Sequence, residues 1–444
     1  MPLTRRRFLA AAAAAAASAP YVITSAALGA GGRPAASNRI GLASVGVGGR
    51  GGYLLRGTLG DSDCMVLGVC DADASRLSSA KDTVQQRYTQ EMGRTYAGCK
   101  DYRDFREVLA RPDVDAVVIA TPDHWHGMLS MMAAKAGKDI YCEKPVASTI
   151  TDGRASADAV RRYGRVFQTG SHERSTASIR YACELVRNGR LGKLHTVRTF
   201  LPTGQKSSGA TGAEPVPAGF DYNMWLGPAP WAPYHRRRCH GSFRWVQDYS
   251  DGELTDRGAH VNDIALLGAG PFLKGPATIE GRGKFLDDPL WDVAYEYHIE
   301  WTFANGIRWI CSSDDAPVQV ICNITKAHRG VLFEGTDGWV FVAIHGGALS
   351  ASRPDLLKEV IGPDEVRLGR SIGHLQDWLR AIKTRGPTMA PAEDGHRTAS
   401  FCHLCNIACI LHRKLVWDFD KERFIDDDSA NAMTHRPPRS PWRL

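Results

Sequence analysis

Short apolar runs alternate with stretches of helical spacing through the first part of the chain. The runs at 39–45, 65–70, 116–120, 139–142 and 166–169 are rich in Val, Ile, Ala and Cys. Between them, 74–92, 104–109, 128–136 and 152–163 carry apolar residues at helical intervals. Continuous apolar strands separated by amphipathic helices predict a doubly wound parallel sheet, covered on both faces. The rest of the chain reads differently. Residues 194–201, 277–285, 294–303, 307–312 and 330–334 alternate or run apolar, with β-branched and aromatic content, and turns such as Ala304-Asn305-Gly306 separate them. They predict a second sheet. Leu375, Trp378, Leu379 and Ile382, and then Phe401, Cys405, Ala408 and Cys409, lie at helical spacing and predict helices returning to the core. Residues 204–219 form a polar Gly/Ser/Pro-containing loop, and the Pro- and Arg-rich tail after Arg436 is expected on the surface. The fold class is α/β, with an N-terminal sheet domain at 38–165 and a second α/β domain at 166–444.

The first strand leads into the most informative stretch. Gly46-Val47-Gly48-Gly49-Arg50-Gly51 holds the spacing G-x-G-x-x-G, and Tyr53-Leu54-Leu55 opens a helix after it. The first glycine allows the tight turn, the second lets a pyrophosphate approach the backbone, and the third allows close helix–strand packing. Free N–H groups at the helix start would receive the anion. With 45 glycines in the chain the spacing alone is weak, but the second apolar run ends in Asp71, where a ribose-binding acid belongs. A carboxylate there favours NAD, and Arg76 is close enough in sequence to meet a 2′-phosphate, so NADP stays open. Two further strands end in polar residues at the sheet edge that would face the nicotinamide: Thr121-Pro122-Asp123-His124-Trp125-His126, and Glu143-Lys144-Pro145. The expected cofactor set is Gly46, Gly48, Gly49, Arg50, Gly51, Asp71, Thr121, Pro122, His124, His126, Glu143 and Lys144.

Composition sets outer limits. Hydrophobic residues make up 43% and charged residues 23%, the balance of a soluble globular chain. The formal charge is +7, and without Arg5, Arg6 and Arg7 it is +4, too little to argue for nucleic acid. Eleven cysteines are an odd number, and most sit inside apolar patterns as small hydrophobes. Cys402, Cys405 and Cys409 share one helical face, which reads as core packing rather than a metal or iron–sulfur site, and no metal is expected.

Thr4-Arg5-Arg6-Arg7-Phe8-Leu9, followed by the mild alanine run 10–17, reads as a twin-arginine export signal within 1–30. The run is too short and mild for a comfortable membrane span. The expected partner during export is the twin-arginine translocase, and the expected location is the periplasm. That route carries folded proteins, so a cofactor can travel inside. No nicotinamide pool exists outside to reoxidise it, which favours a tightly held cofactor restored in each cycle.

Together, Gly-Val-Gly-Gly-Arg-Gly at 46–51, Ala-Thr-Pro-Asp-His-Trp-His at 120–126, Glu-Lys-Pro at 143–145 and Arg-Asn-Gly-Arg-Leu-Gly-Lys at 187–193 resemble the Gfo/Idh/MocA oxidoreductases, a family that includes glucose–fructose oxidoreductase and inositol dehydrogenase. The resemblance covers nearly all of the chain after the export signal. It implies a Rossmann domain followed by a large, open, mostly antiparallel sheet, carbohydrate substrates and a homo-oligomer.

Asp256 and His260 stand four apart, so on a helix they would share a face, and a carboxylate beside an imidazole can fix its tautomer and raise its basicity. Oxidising a sugar carbinol needs a base for the hydroxyl proton while carbon gives up hydride. The resemblance implies a catalytic set of Lys144, Asp256 and His260, with Lys144 on the reacting hydroxyl and the nicotinamide ribose. Asp263 adds a possible metal spacing, and Tyr222, Tyr234 and Tyr249 are candidates where relatives use a tyrosine. Trp225, Trp231, Trp245, His235, Arg236, Arg237, Arg238 and His240 are candidates for a sugar site. The leading reading is a periplasmic sugar oxidoreductase with resident NAD(P). The alternatives are an NAD-dependent glycosidase similar to glycoside hydrolase family 109, which oxidises C3 transiently, and a non-catalytic sugar sensor.

Overall fold

The computed structural model describes residues 34–443, and the export signal expected at 1–30 lies outside them. The first sheet has six parallel strands: β1 (Ile40–Val45), β2 (Cys64–Cys70), β3 (Lys100–Tyr102), β4 (Ala116–Ile119), β5 (Asp139–Cys142) and β6 (Phe167–Thr169). Their order is β3-β2-β1-β4-β5-β6. The order reverses between β1 and β4, which opens a crevice beyond the strand ends. The sheet reaches residue 169, past the expected boundary at 165, because β6 pairs with β5. The expected strands are present to within a residue or two. The added one, β3, is a short polar edge strand, Lys100-Asp101-Tyr102, with no apolar signal to read.

Helices α1 (Gly49–Leu59), α2 (Ala74–Met92), α3 (Phe105–Leu109), α4 (Asp123–Lys135) and α5 (Ile150–Arg162) connect these strands. Asp73, Asp104 and Thr149 cap α2, α3 and α5 by accepting from backbone N–H groups of their first turns. No side chain caps α1, and no acid occupies its first turn. Helix α4 starts five residues before the expected 128, at Asp123, because Pro122 supplies the extended residue ahead of it.

The second sheet has nine strands in the order β13-β12-β11-β7-β10-β9-β8-β14-β15. They are β7 (Leu194–Phe200), β8 (Ala277–Phe285), β9 (Ala294–Phe303), β10 (Arg308–Ser312), β11 (Gly330–Gly335), β12 (Gly338–Ala343), β13 (Leu349–Ala351), β14 (Leu415–Asp418) and β15 (Arg423–Phe424). Neighbours are antiparallel except β7 and β10. Helices α6 (Ala177–Arg187), α7 (Tyr222–Leu226), α8 (Gly258–Ala269), α9 (Ala316–Thr325), α10 (His374–Thr384) and α11 (Ala392–Leu411) complete the framework.

Two late helices tie the sheets together, as their spacing predicts. Trp378, Leu379 and Ile382 of α10 pack with Ile40, Leu42 and Tyr141 on the first sheet. Phe401 of α11 lies 4.2 Å, ring to ring, from both Trp301 and Trp309 of the second. Ala392 and Ala399, on the same helix, belong to the first sheet's core. Burying each Phe-sized side chain contributes about 1.5–3 kcal/mol. All eleven cysteines are buried and free, with Cys405 and Cys409 packed inside the second core and Cys402 accepting from Asn262 Nδ2 at 3.5 Å.

The tail corrects one expectation. It is a strap rather than a surface cover. Arg436 bonds Asp251 at 2.9 Å, Arg439 bonds Asn223 at 2.8 Å, and Trp442 is buried with its ring 4.7 Å from Trp125. Charged and proline residues hid an anchor of one aromatic. Trp442→Ala should therefore destabilise the protein by about 3 kcal/mol, towards the low end for buried Trp truncations, read as a lower urea midpoint at unchanged slope.

Candidate active site

The glycine loop is built for close approach. Gly46 has φ +81°, and a Cβ there would lie 2.7 Å from the backbone of Ala120 and Thr121. A Cβ on Gly51 would lie 1.9 Å from the Gly46 carbonyl oxygen. Gly49 faces open space, so the uncapped start of α1 presents its N–H groups to the crevice. Asp71 accepts from Val47 N at 2.8 Å and from Asp73 N at 2.9 Å, so it braces the loop as well as facing the crevice. Burial raises the Asp71 pKa, against those two bonds. Arg50 donates to Glu143 at 2.7 Å and so links the loop to the end of β5. The Thr121 hydroxyl is buried, lines the crevice and has no protein partner. An open Gly49, an uncapped helix and an orphan hydroxyl fit a bound dinucleotide: Gly46–Gly51 for its phosphates, Asp71 for a ribose, and Thr121, Pro122 and Lys144 towards the nicotinamide.

The crevice is a cavity of about 490 Å³ between the two sheets' layers. Its roof comes from the second domain and was not assigned from sequence, apart from Trp225 and His240 as sugar-site candidates. Phe220, Trp225, His240, Phe243 and Arg244 line it. Main-chain bonds lock the roof down at the Asp71 end. Ala74 N donates to Gly219 O at 3.1 Å, and Asp221 N to Ala72 O at 2.9 Å. Arg103 reaches the same Gly219 carbonyl at 2.9 Å. Arg76 lies against Gly48 and pairs with Asp73.

At the opposite end, Lys144 and His260 line the cavity. Lys144 Nζ donates to Asp256 Oδ1 at 2.6 Å and to its carbonyl at 2.8 Å. Arg244 Nε stands 3.0 Å from the same carboxylate. Burial pushes the Asp256 pKa up, but Lys144 and Arg244 outweigh it and hold the group far below the carboxylate range. Asp256 precedes α8, which starts at Gly258, and its bonds go to these cations rather than to His260. The expected tautomer-fixing bond is therefore absent: the His260 Nδ1 is buried without a partner. Burial, then the charges of Lys144, His172 and His345, push the His260 pKa well down and keep the ring neutral.

Other expected residues sort by where they point. His126 lines the cavity, but its nitrogens are 2.5 Å from Pro145 O and 2.8 Å from Thr121 O, so it braces two loops. His124 is a correction. It turns away from the cavity, bonds Trp225 O at 3.0 Å, and burial pushes its pKa down to about 3. Asp263 also turns away, into a buried bidentate pair with Arg174 at 2.8 and 2.7 Å, which removes the Asp256–His260–Asp263 metal spacing. Tyr222, Tyr234 and Tyr249 are buried in a satellite core and do not line the cavity. Trp231 is exposed and Trp245 packs on Trp291. The sequence reading missed His172 and His345, which crowd His260, and Asp123, which lines the cavity and accepts from Ser250 Oγ at 2.6 Å.

Residues 40–171 match the profile of an oxidoreductase family's NAD-binding Rossmann fold, and residues 200–444 match that of its C-terminal alpha/beta domain, in both cases Gfo/Idh/MocA. This chain belongs to the Gfo/Idh/MocA oxidoreductases. Levoglucosan dehydrogenase of Pseudarthrobacter phenanthrenivorans is 36% identical over 99 residues, 22% of this chain and 25% of that one. D-glucoside 3-dehydrogenase of Escherichia coli is 30% identical over 134 residues, 30% of this chain and 35% of that one. The chain thus spans a quarter to under half the length of the curated relatives it matches. The structure of an aldose-aldose oxidoreductase from Caulobacter crescentus superposes with a TM-score of 0.60 at 20% identity, covering 85% of this chain and 99% of that one, which shows a shared fold.

Two outcomes follow for the cofactor. Gly51→Ala should weaken NAD binding more than about tenfold, a loss above about 1.4 kcal/mol, by fluorescence titration. Asp71→Ala, which leaves Arg76 in place, should move the NADP-to-NAD affinity ratio upward by at least about tenfold, since the carboxylate that disfavours a 2′-phosphate is gone.

Proposed function

We propose that the protein oxidises a carbinol of a sugar or sugar derivative in the periplasm, using an NAD(P) that it holds through the cycle and restores by passing the hydride on to the carbonyl of a second sugar. The observation that carries this reading is one cavity holding the glycine loop at one end and a neutral imidazole, His260, beside the Lys144–Asp256 pair at the other. The bound nicotinamide supplies the hydride acceptor. His260 takes the hydroxyl proton, for which a neutral ring is required. Lys144, oriented by Asp256, offers its ammonium to the same oxygen and favours its loss of a proton.

The roof supports a resident cofactor. Release from the Asp71 end requires parting the bonds from Gly219 and Asp221 to residues 72–74 and 103. The motif Thr4-Arg5-Arg6-Arg7-Phe8-Leu9 supports export of the loaded protein by the twin-arginine translocase. The second reading is an NAD-dependent glycosidase, whose first step, oxidation at C3, is supported by the relative named for dehydrogenation of a glucoside at position 3. Oxidation at C3 acidifies the C2 proton, elimination releases the aglycone, water adds, and the carbonyl is reduced again.

Protein purified in cofactor-free buffer should carry NAD(H) or NADP(H) by mass spectrometry, and recovery of empty protein with no affinity for either sinks the reading. Lys144→Ala and His260→Ala should each lower kcat by about 10²–10⁴. Equal turnover by parent and variants would remove the assigned roles. Anaerobic release of nitrophenol from a nitrophenyl glycoside, without added acceptor, selects hydrolysis over net oxidation.

A further inference from the structure

We propose that His172, Glu173 and His345 hold a divalent transition-metal ion at the substrate end of the cavity. Two of the three come from the turn after β6 and the third from the turn after β12. Their ligand atoms lie within 4.8 Å of one another. Glu173 Oε1 is 3.3 Å from His172 Nε2 and 3.6 Å from His345 Nε2. Ligands about 2.05 Å from a tetrahedral ion are separated by about 3.3 Å, so two edges of the polyhedron are already near their final length. Two imidazoles and one carboxylate are a donor set that binds first-row ions and leaves positions open.

The surroundings point to a ligand independently of these distances. Glu173 is only 3% exposed, and no lysine or arginine forms an ion pair with it among the described residues; its partners are the two imidazoles and the His345 backbone N–H. A carboxylate buried between two imidazoles, with no lysine or arginine on its oxygens, is open to a cation. His172 Nδ1 faces the Gly170 carbonyl at 3.4 Å, which would take its proton and turn the Nε2 lone pair towards the ion. His345 is held at φ 60°, a left-handed conformation uncommon outside glycine, and this places its ring over Glu173 and 4.9 Å from His260. His260, whose Nδ1 has no partner, stands 4.9 Å from His172 as well.

One contact opposes binding. Arg329 Nε donates to His345 Nδ1 at 3.1 Å, so ligation moves the His345 proton to Nδ1 and releases the guanidinium. Because His172 and His345 line the cavity, the open positions of the ion face it. Two neutral imidazoles and one carboxylate leave a divalent ion with net positive charge. That charge suits neighbouring hydroxyls of a sugar, or a hydroxyl beside a carboxylate, and chelation would fix the ring relative to His260. The ion positions substrate and takes no part in electron transfer. This use rests on the carbinol-oxidation reading, while occupancy of the site does not.

The test uses tag-free, full-length protein, stripped with chelator and titrated with Co²⁺ and with Zn²⁺. The expected result is about one ion per chain by elemental analysis, ligand-field bands for the Co²⁺ form, and a raised Tm. Glu173→Gln and His172→Ala should weaken binding more than about 100-fold, beyond the cost of losing an outer-shell partner. His298→Ala, a histidine outside the cluster, should bind as the parent does. Arg329→Gln should bind equally or more tightly. Circular dichroism confirms that each variant is folded; should Glu173→Gln and His172→Ala unfold, the parent's stoichiometry and Co²⁺ spectrum decide. No ion above background in the parent, or unchanged binding in folded Glu173→Gln and His172→Ala, overturns the site. Undiminished sugar oxidation by metal-stripped parent overturns only the ion's substrate-positioning role, and ion binding without sugar turnover overturns only the catalytic reading.

Discussion

The buried pair between Arg174 and Asp263 holds the rest in place. Its guanidinium makes two bonds to Asp263 and a third, at 2.6 Å, to Asp394, while Thr398 Oγ1 gives Asp263 another at 2.9 Å. Three elements meet there: the turn that leaves the first sheet, α8, and α11. Removing one partner from such a pair costs about 3–5 kcal/mol, because the other charge stays buried. The pair is a poor stability device compared with an apolar replacement, so its value lies in register. Arg174 follows Glu173 directly, and Asp263 lies one helical turn beyond His260. One electrostatic lock thus sets the distance between His260 on α8 and the His172–Glu173–His345 cluster beside it.

A second charge contact crosses between the layers at the reacting end. Lys144 comes from the end of β5 and Asp256 from the approach to α8. The two sheets therefore meet through ions at this end of the cavity and through aromatic and aliphatic packing on α10 and α11 behind it. Polar contacts at the cavity position reacting groups directionally, which apolar packing cannot do. The roof adds main-chain bonds, each contributing about 1 kcal/mol. Enclosure of the dinucleotide crevice emerges from the pairing of the domains and not from the Rossmann unit alone.

Much of the framework was legible from periodicity. Strands β1, β2, β4 and β5 are apolar enough to announce themselves, β8 and β9 alternate, and α2 carries both its cap, Asp73, and its stop, Gly93, in the sequence. Strands β3 and β15 were not legible, being two or three residues long and polar at the edge. The site divided along similar lines. Gly46, Asp71 and Lys144 sit at strand ends and Gly51 in the first turn of α1, where local pattern fixes direction. His124 and His126 are two apart in one motif, yet one faces out of the cavity and the other into it, because a helix rotates alternate residues by about 200°. Asp256 and His260 were read as sharing a helical face, but the helix begins after Asp256. His345 and Glu173 are far apart in sequence, and only the pairing of β11 and β12 beside α6 brings them together.

The hidden thiols carry a consequence for when this chain can fold. Eleven reduced cysteines are protected only by packing. An extended chain would present every one of them to oxidants, with numerous wrong pairings available and one sulfur always left over. Once the cores close, those sulfurs are inert to the surroundings. Such an interior is reached with least mispairing where the thiols stay reduced until the cores have closed.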